Sequence, residues 1–299
     1  GDITNVGRMS KKKRPTPVPP EPLIPLFDAH THLSSVVPKD TWDRSEDEAA
    51  ALYEQRVVDI MERAQGSGLV GVCTVGDGLA ETERALQAAH FHDKVWAACA
   101  VHPTLAHEVD DAAKARLTEM AHDPRCVAIG ETGLDAYWIQ HDESTPSIQV
   151  QEEALRWHID LAVQTGKPLM IHNREADADL LRILDDSPSP REVILHCFSS
   201  PLDMARECLD RGYVLSFAGN VTFKRNDQLR EAARLAPRDR LLVETDAPFM
   251  TPEPYRGARN EPAYVGYTAR LVAEVRGEDP AELAAAVTEN ARRLYGLDG

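Results

Sequence analysis

Six side chains of the kinds that hold metal ions, His30, His32, Glu131, His172, His196 and Asp246, stand at or just past the ends of short apolar runs. Leu26 to Ala29 precedes His30, Val127 to Gly130 precedes Glu131, Pro168 to Ile171 precedes His172, Val193 to Leu195 precedes His196, and Leu241 to Val243 lies shortly before Asp246. Short apolar runs bounded by polar residues read as buried strands. Neutral imidazoles suit borderline cations such as zinc and carboxylates suit harder ones, so a mixed set can hold two divalent ions with a position open for water. One histidine in an apolar segment is more often a hydrogen-bonded core residue than a ligand. It is the recurrence of ligand types at five strand ends that points to a metal centre. His90, His92, His107, His122, His141 and His158 fall on expected helices or polar loops and read as solvated surface residues.

Ligands this far apart in the chain meet only where strand ends converge. A parallel α/β barrel does this, because all strand ends of one polarity share one face. From Leu26 onward, strand candidates at 26–29, 69–75, 95–101, 126–130, 168–171, 192–196, 213–217 and 241–244 alternate with amphipathic stretches at 49–65, 81–90, 112–121, 150–164, 176–185, 201–210 and 229–235. Tyr264 to Arg276 and Ala281 to Tyr295 read as closing helices, the second opened by Asp279-Pro280 in cap and first-turn positions. The expected fold is an α/β TIM (β/α)8 barrel. An open doubly wound sheet would place its site at one switch point and would not gather ligands from strands one, four, five, six and eight.

At 299 residues the chain suits one barrel, taken as residues 26–299, behind a tail. Residues 1–25 carry Lys11-Lys12-Lys13-Arg14 and then six prolines, which reads as a disordered or polyproline-like basic tail. The net charge of −16 argues against extended, tight nucleic-acid binding, since Lys and Arg neutralising phosphates supply most of that affinity. Four of the negative charges, Asp28, Glu131, Asp135 and Asp246, fall in or near the site, where bound cations would offset them. Five cysteines with no Cys-x-x-Cys pair read as reduced thiols of a cytoplasmic protein, and strand alternation would turn Cys197 away from the site. No apolar run approaches the roughly twenty residues that span a bilayer. Gly76-Asp77-Gly78 lacks phosphate-cradling spacing and reads as an ordinary turn, and no Gly-x-Ser-x-Gly nucleophile is present.

Asp28-Ala29-His30-Thr31-His32-Leu33, Gly130-Glu131-Thr132-Gly133-Leu134-Asp135, Ile171-His172-Asn173-Arg174, His196-Cys197-Phe198-Ser199, Glu244-Thr245-Asp246-Ala247-Pro248 and the stretch Arg256 to Tyr264 resemble, in order and spacing, the motifs of the TatD family of metal-dependent hydrolases. The resemblance runs from about Leu26 to the C-terminus. It implies a barrel of the amidohydrolase type and 3′ to 5′ exonucleolytic cutting of single-stranded DNA. It also implies that His30, His32 and Asp246 hold one divalent ion (Mg, Mn or Zn), that His172 and His196 hold a second, and that Glu131 bridges them. Ala136, Ser200 and Ala100 depart from the family's usual residues; none is an expected ligand, and the first two bear on the substrate mouth.

A two-ion site brings water toward ionisation at neutral pH and offsets charge on an attacked phosphate, so no protein nucleophile is needed. Asp246 is the expected proton acceptor, Glu131 the shared ligand, and His102, Arg174, Arg256 and Asn260 the expected contacts to phosphate oxygens and leaving group. Asp28 and Glu244 are expected to orient ligands or tie strand ends. Tyr137 and Trp138 follow strand four and are candidates to stack a base. The expected partner is the end of a single-stranded DNA or other nucleic acid, with no membrane association and a monomeric state. Two alternatives use the same residues otherwise: a small-molecule amidohydrolase or lactonase, and a metal-binding interaction scaffold docking through its basic, Pro-rich tail.

Overall fold

The computed structural model describes residues 15–297. Its eight strands are β1 (Leu26–Thr31), β2 (Leu69–Thr74), β3 (Val95–Ala98), β4 (Cys126–Asp135), β5 (Leu169–Arg174), β6 (Val193–Leu195), β7 (Val214–Phe217) and β8 (Leu241–Val243). They lie in one sheet in sequence order, every hydrogen-bonded neighbour parallel. The sheet curls round so that the segment after β8 meets β1. Asp246 N–H donates to His30 O at 2.8 Å, and His32 N–H donates to Ala247 O at 2.9 Å. Eight parallel strands with helices between them make the TIM (β/α)8 barrel expected from the sequence.

Local chemistry sets the helix ends. Ser45 and Ser147 accept from the N–H groups three residues on and so cap Glu46–Gly66 and Ile148–Thr165, while Gly166 closes the latter at φ +68°. Asp279 caps Pro280–Tyr295 with proline in the first turn. Every strand contributes to an inner apolar cluster that includes Phe27, Val127, Met170, Ile194, Val214 and Leu242, and Leu294 and Tyr295 of the last helix join it. Tyr295 Oη donates to Ala29 O at 2.7 Å. A larger cluster fills the space between the strands and the surrounding helices.

Three readings change. The tail was expected to end at Pro25, yet Leu23 is buried with its N–H toward Ser67 O at 3.4 Å, Arg270 donates to Glu21 O at 2.6 Å, and Tyr267 donates to Val18 O. Prolines lack donors, but their neighbours keep carbonyls that side chains on Val265–Arg276 satisfy. The basic run Lys11 to Arg14 lies outside the described residues. β3 stops at Ala98, short of Val101. His158, read as a surface residue, is fully buried: its Nε2 accepts Val101 N–H at 3.2 Å and its Nδ1 donates to Ala154 O at 2.7 Å. Among the described residues no helix is long and apolar enough to cross a membrane.

Candidate metal centre

All six expected ligands converge on one end of the barrel. Glu131, only 2% exposed, lies at their centre and divides them by its two oxygens. Oε2 is 3.2 Å from His30 Nε2 and 3.7 Å from His32 Nε2. Oε1 is 2.8 Å from His196 Nε2, 3.1 Å from His172 Nδ1 and 3.5 Å from His102 Nε2. Asp246 completes the first group, with Oδ1 3.2 Å from His32 Nε2 and 3.5 Å from His30 Nε2. Asp246 has φ +52°, a left-handed conformation that Asp tolerates through local hydrogen bonding.

The strands bring these residues together by register. β4 runs five residues further than the sequence suggested, and Gly133 pairs with His172, so Glu131 and His172 share one ladder. Gly133 sits at φ +147°, and a Cβ there would meet His172 O at 1.9 Å; only glycine lets the strands approach so closely. Register shifts interrupt β1 between Asp28 and Thr31 and β4 between Ile129 and Thr132.

Three of the four expected ligand rings are turned by a partner on the other nitrogen. His196 Nδ1 lies 2.9 Å from Glu244 Oε2, His172 Nε2 lies 2.8 Å from Asp135 Oδ2, and His30 Nδ1 lies 3.1 Å from Met170 Sδ. Placing the proton on the nitrogen that faces each acceptor leaves His196 Nε2, His172 Nδ1 and His30 Nε2 with lone pairs aimed at the centre. Glu244 was expected in this orienting role; Asp135 was seen only as a nearby carboxylate, and Met170 was missed. Asp28 is the strand tie, accepting from Thr245 N–H at 2.8 Å, Thr245 Oγ1 at 2.5 Å and His30 N–H at 3.2 Å. Burial outweighs these donors and pushes its carboxyl up to about 8.

The donor set fits divalent cations. Glu131 Oε2 is buried with no hydrogen-bond partner, and His30 Nε2 and His32 Nε2 face each other at 3.1 Å, an arrangement that a shared cation resolves. Electrostatics agree. Burial opposes ionisation of Glu131, but the charges of His196, His30 and His102 hold it well below the usual carboxylate range. Burial likewise lowers His32 and His172, yet Asp246 hydrogen bonding raises His32 to about 10, and Asp135 and Glu131 raise His172 to about 9. In the metal-free protein protons supply the positive charge that the carboxylates demand.

Over the centre opens a cleft of about 620 Å³. His102 lines it, its Nδ1 accepting Thr104 N–H at 3.2 Å, which leaves the proton on Nε2, on the side of Glu131 at the cleft floor. Arg174 lines it too, its guanidinium 3.6 Å over the Tyr137 ring. Tyr137 also stacks on His141 at 4.0 Å, so of the expected aromatic pair it is Trp138, 39% exposed, that faces the cleft. Arg256 stands 3.8 Å over Phe223, a cleft residue. Asn260 is not brought to the cleft. It is 1% exposed and spends its amide on Thr245 O at 3.0 Å and Phe249 O at 2.8 Å. Cys197, expected to point away, lines the cleft, because β6 ends at Leu195 and Cys197 takes φ +42°, where alternation no longer applies. Asp77, dismissed as part of a turn, lines the cleft with Oδ1 4.0 Å from His32 Nδ1.

A (β/α)8 barrel carrying imidazoles and a shared carboxylate at the strand ends defines the class: a metal-dependent hydrolase of barrel type. The family model described as TatD related DNase matches residues 27–296. The chain belongs to the TatD family. A protein of Mycobacterium tuberculosis named "Uncharacterized metal-dependent hydrolase TatD" is 46% identical over 272 residues, covering 91% of this chain and 98% of its own. A protein of Erwinia tasmaniensis named "3'-5' ssDNA/RNA exonuclease TatD" is 36% identical over 245 residues, covering 80% of this chain and 93% of its own. The crystal structure of the TatD homologue YJJV of Escherichia coli k12 shares the fold with a TM-score of 0.78 at 24% identity, covering 91% of this chain and 98% of that one.

Proposed function

We propose that this metal-dependent hydrolase is a two-metal phosphodiesterase that releases nucleotides from the 3′ end of single-stranded DNA. The observation that carries the reading is the join of the Glu131-centred ligand cluster to a cleft edged by Trp138 and Arg174, a stacking ring and a cation beside a phosphate-sized charge centre. The name of the Erwinia tasmaniensis relative supports it. His30, His32 and Asp246 would hold one ion, His172 and His196 the other, with Glu131 shared. When bound, divalent ions supply positive charge against the phosphate and make water easier to ionise.

The chain's own groups do the rest. Asp246 receives the proton of the attacking water. His102 donates from Nε2 to a phosphate oxygen or to the leaving group, held in that tautomer by Thr104. Arg174 pairs with the phosphate from its seat on Tyr137, and Arg256 approaches from the Phe223 side. Asp135, Glu244 and Met170 keep the ligand rings from turning. A charge of −16 is compatible with gripping one end of a strand, where few phosphates are contacted.

The test presents linear and circular single strands of one sequence with Mn²⁺ or Mg²⁺. Stepwise release of mononucleotides from the linear strand alone is expected. Equal cutting of circles would refute end-directed action, and turnover of esters or lactones with no cutting of nucleic acid would assign the cluster to a small-molecule hydrolase.

A further inference from the structure

Beside the metal cleft lies a second cavity of about 610 Å³ whose walls include Lys39, Trp42, Arg84, Phe249 and Arg259. We propose that this cavity is the subsite for the nucleotides lying 5′ to the scissile phosphate, with Phe249 as the stacking ring between the two chambers. The proposal rests on the nuclease reading and extends it from one phosphate to a strand.

Charge is the first observation. In a chain of net charge −16, the cavity wall has three cations and one carboxylate, Glu81. Among the described residues none of the three cations forms an ion pair with a carboxylate, and Glu81 is turned to the backbone N–H of Asp77 at 3.4 Å. Two of the cations are also held in place. Arg84 lies 3.7 Å over the Trp42 ring, and Arg259 donates to the carbonyl oxygens of Ser35, Val36 and Val37. Cations without carboxylate partners in a concave wall, two of them fixed, recognise an anion, and three suit a chain of phosphates better than a single one.

Continuity is the second. Phe249 lines both cavities, is 55% exposed, and stands with its ring 6.1 Å from that of His32. Its backbone is pinned at both ends, N–H to Asp246 O at 2.9 Å and O from Asn260 Nδ2 at 2.8 Å, so the chain carrying this exposed apolar ring is fixed at the boundary. A ring so placed offers a face to a base on the path between the chambers. Asn260, expected at a phosphate, acts here as a positioning residue for that ring. Each chamber falls within the roughly 300–1,000 Å³ range of small-ligand sites.

The experiment measures binding of 5′-labelled hexathymidylate and dithymidylate in EDTA across a salt series, and their cleavage in Mn²⁺, for the wild type, the double variant Lys39→Ala/Arg84→Ala and Phe249→Ala. Thermal melts confirm that each variant is folded. A dithymidylate with its label joined to the 5′ carbon without a phosphate has only the scissile phosphate, so losses should separate with length. The double variant is expected to bind the hexamer roughly tenfold more weakly and to flatten its salt slope by about 1.4, the value for two lost phosphate contacts on a single strand, raising KM for the hexamer with little change in kcat. Phe249→Ala should weaken the hexamer without altering the salt slope. An unchanged hexamer affinity and slope, or equal losses on both lengths, would overturn the subsite. If the wild type releases no nucleotide while hexamer binding still depends on Lys39 and Arg84, the cavity stands and the nuclease reading fails. If nucleotides are released and the variants match the wild type, the reverse holds.

Discussion

Glu131 is the side chain on which both halves of the cluster depend, since each oxygen faces a different set of imidazoles and Oε2 has no donor of its own. Glu131→Gln removes the shared negative charge and leaves an amide that cannot serve both sides. Turnover is expected to fall by several powers of ten while the variant stays folded, because metal stabilisation amounts to several kcal/mol of barrier. A variant that turns over near the wild-type rate with both ions bound would show the shared role to be misassigned. Asp135 tests orientation instead of ligation. Its Oδ1 accepts Trp138 N–H at 2.8 Å and its Oδ2 accepts from His172 at 2.8 Å. In Asp135→Asn the oxygen stays with Trp138, so the new NH₂ opposes His172 Nε2 and drives the proton to Nδ1, the nitrogen that faces Glu131. Affinity for the ion on the His172 and His196 side should drop roughly 10- to 100-fold while the other ion is retained. Metal titration of the variant distinguishes this from a uniform loss, which would contradict the assignment.

At the scale of elements, the β4–β5 ladder and the β1–β8 closure carry the centre. Gly133 against His172 sets one, and Asp28 holding Thr245 and His30 sets the other. His102 follows β3, where His158 of the Ile148–Thr165 helix accepts the N–H of Val101 immediately before it. Burial lowers the His158 imidazole to about 4, from an ordinary 6.5 in the unfolded chain. A group depressed on folding contributes stability above its unfolded pKa, and that contribution is lost as pH falls from about 6.5 through about 4. The loss is on the order of 3 kcal/mol when complete. Melting curves across that window should show His158→Gln with a shallower acid dependence than the wild type. Identical slopes would mean that the protonation of His158 is not coupled to folding.

Across the whole molecule, the strand ends concentrate carboxylates that the rest of an acidic surface cannot neutralise, which favours cation binding by the folded state. Two divalent ions per chain are expected after reconstitution, and saturating metal should raise stability by about 2.7 kcal/mol at a hundredfold excess over the dissociation constant of one site. Metal analysis paired with melts in EDTA and in Mn²⁺ measures both. Fewer than one ion per chain, with no shift in melting, would remove the basis for metal chemistry. Under the proposed nuclease reading the acidic balance would confine strand contact to a small area, so a shallow salt dependence is expected beside that of proteins that follow many phosphates.

Which residues gather at the strand ends, and in what order along the chain, was legible in the sequence, because a ligand type after an apolar run marks a strand end whatever the fold does elsewhere. So were the eight repeats and the role of Glu244. Side-chain direction was not. Period-two alternation fails where register shifts interrupt β1 and β4, and it ends with β6, which is why Cys197 turned out to face the cleft; β4 reached Asp135 because Thr132 to Asp135 pair with β5. The second nitrogen of His30, His172 and His196 meets a partner chosen by packing: Met170 comes from β5, two residues before His172, and Asp135 from beyond the expected end of β4. Asn260 has the chemistry of a phosphate contact, but burial beside Thr245 and Phe249 commits its amide to the backbone. Composition and periodicity act locally and survive in sequence; the pairing of a buried donor with its acceptor is settled only when strands far apart in the chain close into one barrel.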